Sequence, residues 1–72
     1  MGGRMRYEFI LAEKVSATTR AAFPELKESE LPLGQQGTVM FGPVIDDPNL
    51  HGMIDRFQDF GLTIVEMRML PD

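Results

Sequence analysis

The chain has 72 residues, 43% hydrophobic and 25% charged, a formal net charge of −4 and no cysteine. That suits one globular domain, is too short for two cores, and excludes a disordered chain, disulfides, thiolate nucleophiles and Cys-ligated metal sites. The acidic balance, with basic residues scattered singly, argues against nucleic-acid binding.

Residues 1–4 read as a flexible N-terminus and residues 5–72 as a single domain. Glu8 and Glu13 fall where a signal peptide needs an unbroken apolar core, and no apolar run approaches the roughly 18 residues of a membrane span. A cytoplasmic protein with no membrane partner is expected.

Met5, Tyr7, Phe9 and Leu11 alternate with Arg6, Glu8 and Ile10, which predicts a strand over residues 5–13 with one apolar face. Val15 and Ser16 supply a staple residue and an N-cap for a short helix over 17–23, halted by Pro24. Residues 25–31, with Lys27, Glu28, Ser29 and Glu30, are too polar for a strand covered on both sides and suit a solvated edge. Pro32, Gly34 and Gly37 bracket a hairpin-length loop, and Thr38-Val39-Met40-Phe41 resumes a β-like run that Gly42-Pro43 breaks. Asp46 or Asp47 caps a second helix, with Pro48 at its start, where no N–H is lost. Leu50, Met53, Ile54, Phe57 and Phe60 follow at helical spacing, and Gly61 ends it. Residues 62–70 alternate again, with Val65, Met67 and Met69 on one side and Leu62, Ile64, Glu66 and Arg68 on the other.

The order β-α-β-β-α-β predicts an α+β, ferredoxin-like domain. Right-handed crossovers give a four-stranded antiparallel sheet of order 4-1-3-2 with both helices on one face. The inward set is Tyr7, Phe9, Leu11, Phe23, Val39, Phe41, Leu50, Ile54, Phe57, Val65 and Met67. Parity sends Arg6, Glu8, Ile10, Met40, Ile64, Glu66 and Arg68 to the open face, where Ile10, Met40 and Ile64 form an apolar centre ringed by charge. Partner surfaces are built that way, and so small a core gains from association, so this face is the expected interface of a homo-oligomer or protein complex.

Reaction chemistry is hard to find. Asp47, His51 and Asp55 share a helix face, a spacing able to offer one nitrogen and two oxygens to a metal. Capping accounts for Asp47 and solvation for Asp55, so no metal, cofactor or catalytic residue is assigned, and His51 is kept only as a candidate contact for a small ligand. Glu8 and Glu66 stand beside Arg6 and Arg68, and cross-strand ion pairing explains them without catalysis. The six methionines, Met5, Met67 and Met69 among them, invite copper(I), but adaptable packing is the simpler role. Gly52, inside a helix, is expected to admit a close neighbour.

Among folds of this topology, RNA-recognition domains would need aromatics where Ile10 and Met40 are expected, metal-transporting domains need a Cys pair, and acylphosphatases need an Arg-bearing loop in place of Ala12-Glu13-Lys14-Val15. The closing Gly61-Leu62-Thr63-Ile64-Val65 is similar to that of amino-acid-sensing ACT domains, which implies a ligand at a dimer interface; dimeric α/β-barrel enzymes imply paired sheet faces around a cavity. Met5-Arg6-Tyr7-Glu8, Gly42-Pro43-Val44 and Leu50-His51-Gly52, followed by Arg56, Asp59 and Gly61-Leu62, resemble a group of short bacterial proteins frequent in actinobacteria, with no established activity. The expected function is a non-catalytic, homodimeric interaction module acting through the open sheet face or the edge strands. The alternative is a small-ligand sensor or a small dimeric barrel-type enzyme.

Overall fold

The computed structural model describes residues 5–29 and 37–71. Its elements are β1 (Met5–Leu11), α1 (Ala17–Ala21), β2 (Lys27–Ser29), β3 (Thr38–Val44), α2 (Asp47–Asp59) and β4 (Ile64–Leu70). The strands form one antiparallel sheet of order β2-β3-β1-β4, the ferredoxin-like arrangement the sequence predicts. The terminus expected at 1–4, the end of the polar edge strand at 30–31, and Pro32 and Gly34 lie outside the described residues.

β1 ends at Leu11, earlier than expected, because Glu13 is turned aside into other bonds. Its carbonyl accepts from the Thr38 hydroxyl at 2.9 Å, and the same hydroxyl accepts the Val15 N–H at 3.1 Å. α1 is capped by Ser16, whose hydroxyl accepts from the Thr19 N–H, but it is only five residues long and buries none of them. Phe23 and Leu26, just beyond it, reach the core instead.

α2 is well bounded. The Asp46 carboxylate accepts from the Asn49 N–H at 2.9 Å, and Asn49 Oδ1 in return accepts from the Ile45 N–H at 3.0 Å. At the other end Gly61 adopts φ +74°, its N–H donating to Gln58 and that of Leu62 to Phe57. This left-handed cap delivers Leu62, 9% exposed, to the core as the chain turns into β4.

The core joins one face of the sheet (Phe9, Leu11, Met40, Val44) to Leu50, Met53 and Phe57 of α2 and to Phe23, Leu26 and Leu62. At its centre the Phe57 ring stacks on Phe23 at 4.5 Å and tilts against Phe9 at 5.1 Å.

The structure corrects the expected parity in two strands. Phe9 stands opposite Met40 and Ile10 opposite Val39, so Met40 is fully buried on the helix side while Val39 and Phe41 belong to the open face. Three consecutive apolar residues, Val39, Met40 and Phe41, carry no alternation, and pairing with β1 decides which of them turn inward. In β4 a bulge between Ile10 and Leu11 sets Glu66 opposite Ile10 but Ile64 opposite Leu11. Ile64 therefore packs against the core rather than on the open face, and Val65, expected in the core, is left 64% exposed.

Gly42 and Pro43 do not break β3; they lie inside it. β2 pairs with β3 only as far as Phe41, so beyond that point a residue lacking an N–H is tolerated on the β2 side. A side chain at Gly42 would meet the Glu25 carbonyl at 2.5 Å, so the α1–β2 corner rests directly on the strand backbone. Gly52, by contrast, has nothing within 4 Å of an added Cβ, and the close neighbour expected there does not exist among the described residues.

Candidate functional site

Of the residues expected on the open face, Arg6, Glu8, Ile10, Glu66 and Arg68 gather there, while Met40 and Ile64 lie on the other side of the sheet. Val39 and Phe41 take their places beside Ile10, flanked by Lys27 and Ser29 of β2. Val39 keeps only 8% exposure, while Ile10 and Phe41 beside it are half-buried. Glu8 and Arg68 stand directly opposite each other and pair at 2.6 Å, and that carboxylate, with Glu66 adding to it, pushes the Arg68 guanidinium above its ordinary value. Arg68 is 60% exposed, so the pair fixes register more than it stabilises.

At the corner where β2 stops short of the end of β3, a pocket of about 180 Å³ is lined by Arg6, Glu25, Lys27, Phe41, Gly42 and Pro43. Glu25 is shared between this pocket and the packing beneath. Burial pushes its carboxyl up, but the Arg56 hydrogen bond, its own backbone N–H and the Arg56 charge outweigh that and hold it below the ordinary value. One oxygen receives Arg56 at 2.8 Å; the other is enclosed without a partner among the described residues. Arg6 and Lys27 add two cationic side chains to the lining beside the Glu25 carboxylate, and Phe41 an aromatic one. Gly42 and Pro43 were legible only as a break in the strand, and nothing in the sequence signalled this recess.

The third surface is the edge strand β4. Val65, Met67 and Met69, at alternate positions on the helix side, are 64%, 38% and 58% exposed. The cause lies in α2. Arg56 donates to the Ala22 carbonyl and to Glu25, both at 2.8 Å, and its guanidinium sits 4.9 Å from the centre of the Phe23 ring. These bonds draw α2 toward the α1–β2 corner, so it leans on β3 and leaves β4 uncovered. The alternation was visible in the sequence; the lean of the helix was not.

His51 is exposed on α2, as are Asp47 and Asp55. Among the described residues no group of three His, Asp or Glu side chains is placed to hold a metal, so that helical row is not gathered into a site. Glu13 has a structural task. The Thr63 N–H and hydroxyl donate to its carboxylate at 2.7 and 2.8 Å, which lowers its pKa and ties the end of β1 to the start of β4.

No helix among the described residues is long and apolar enough to cross a membrane. No curated protein and no solved structure matches the chain. A family profile covers residues 6–68, which takes in both helices and all of the sheet but the outer ends of β1 and β4, and the chain therefore belongs to the family described as Domain of unknown function (DUF8691).

Proposed function

We propose that the protein is a non-catalytic interaction module that works by pairing with a second copy of itself. One observation carries this reading: among the described residues, three of the five large apolar side chains left exposed, Val65, Met67 and Met69, line a single sheet edge. An edge strand with a row of apolar side chains and open backbone groups is a template for another strand, which monomeric proteins usually blunt. A domain this small also has little core of its own, and association enlarges it. The expected open-face interface is the weaker version, because Val39 is nearly closed off and Met40 and Ile64 are absent from that face. A bacterial, cytoplasmic setting goes with this reading, given the resemblance to short bacterial proteins and a composition free of cysteine.

Sedimentation velocity from micromolar to near-millimolar concentration tests it. Mass doubling with concentration supports the module; a monomer throughout overturns it.

A second reading rests on the corner pocket. Arg6 and Lys27, which line it together with Phe41, suit a small carboxylate or phosphate, and the protein would then be a ligand sensor. A thermal-shift panel of such anions checks this, with a rise in melting temperature that Arg6→Ala abolishes as the supporting result. No shift with any anion removes the sensor reading.

A further inference from the structure

We infer that two copies join edge to edge through β4, antiparallel about a two-fold axis at Met67 perpendicular to the sheet, so that two four-stranded sheets become one. This rests on the self-pairing reading above and adds the surface and the register.

β4 is the terminal strand of the sheet on the β1 side, and no described strand lies beyond it. With a two-fold axis perpendicular to the sheet, the helices of both copies lie on the same side, and residues that meet across the axis share a face. That restricts the axis to a residue rather than the gap between two. Centred at Glu66 or at Arg68, the pairing would set like charges directly opposite. Centred at Met67, it sets Glu66 of each copy opposite Arg68 of the other, twice. In-register parallel pairing would also align like charges. Of the residues in β4 that could sit on the axis, only Met67 sets Glu66 and Arg68 against each other, and on that ground charge order selects the register.

The same register satisfies the other face. Val65 meets Met69 of the second copy, and Met67 meets its own equivalent, so the three exposed side chains cover one another. On the open side Arg68, already held by Glu8 at 2.6 Å, gains a second carboxylate from the facing Glu66. Isolated charges on an edge strand usually prevent association. Here the two have opposite sign and stand symmetrically about the axis, so antiparallel self-pairing neutralises them while a random strand leaves them unmatched.

Because the chain lacks cysteine, single introduced thiols report the geometry directly. Residues opposite each other in an antiparallel pair have Cα atoms about 4.5–5.5 Å apart, within disulfide range. Under mild oxidation Met67→Cys is expected to convert fully to a covalent dimer. Val65→Cys alone should not crosslink, but an equimolar mixture of Val65→Cys and Met69→Cys should. Glu66→Lys, which sets cations opposite each other on both sides of the axis, is expected to raise the dimer Kd about tenfold or more by sedimentation equilibrium. Hydrogen exchange on the unmodified chain serves if a variant unfolds: amides 65–69 should gain protection as concentration rises.

A native dimer in which Met67→Cys stays unlinked, or in which those amides exchange alike at all concentrations, overturns the β4 register while leaving self-pairing intact. Crosslinking by Ile10→Cys in its place would put the contact on the open face. A monomer at every concentration overturns both.

Discussion

At Gly52 an added Cβ meets nothing within 4 Å, so the interior of α2 carries a glycine for which packing gives no reason. Gly52→Ala should therefore stabilise the domain by about 1 kcal/mol, a rise of roughly 4–8 °C in melting temperature at this chain length. Gly61→Ala should act in the opposite direction by about 1 kcal/mol, because φ +74° is costly for any residue with a Cβ. Thermal melts of the two variants read both effects, and a shared sign would contradict the backbone geometry at one of them. Gly61 was legible because a helix pattern stopping at glycine has a local cause. The open space around Gly52 was not, since what stands above a helix depends on parts of the chain far from it. His51 illustrates the same limit: its spacing to Asp47 and Asp55 is local and legible, whereas what stands around it among the described residues is a matter of tertiary structure.

Among the elements, α2 is the one whose tilt shapes the surface, and Arg56 is the side chain that sets it. Arg56→Ala removes two charge-assisted hydrogen bonds and a ring contact, and should cost about 2–3 kcal/mol in denaturant unfolding. Arg56→Lys should recover little of that, because an ammonium cannot span the Ala22 carbonyl and the Glu25 carboxylate in the same fork. A loss below about 0.5 kcal/mol would show that aromatic packing alone positions the helix. Element order, an aspartate cap at 46 or 47 and the Gly61 stop were readable, since each rests on chemistry within a few residues; the structure gives the cap to Asp46 and not to Asp47. The faces of β3, and of Ile64 at the start of β4, were not readable. Thr38 to Phe41 lacks a polar residue at every second place to announce the outside, and one inserted residue near Val65 shifts the alternation at the start of β4. Strand pairing settled both, and pairing is a long-range property.

For the whole molecule, acid is the informative stress. Glu13 is held below its ordinary value by Thr63, and Glu25 by Arg56 despite its burial. A carboxyl whose folded pKa is depressed contributes stability that is complete above its unfolded pKa and is lost as pH falls through the folded one. Stability should thus decline below about pH 4. Glu13→Gln should flatten that decline while lowering stability at neutral pH, measured by denaturant midpoints across the pH range; an unchanged slope would remove Glu13 as its source. Glu13 joins β1 to the start of β4, so the same acidification should loosen the edge through which self-pairing is proposed.

The lean of α2 away from β4 also leaves two thioethers open to oxidants. Met67 and Met69 are 38% and 58% exposed, whereas Met40 and Met53 are at most 1% exposed. Dilute peroxide should add oxygen to the β4 pair well before it reaches the enclosed ones, turning an oily strip polar, and peptide mass mapping of a time course would follow the order. An assembly held by that strip would come apart under oxidative stress and re-form once sulfoxide reductases restored the sulfurs.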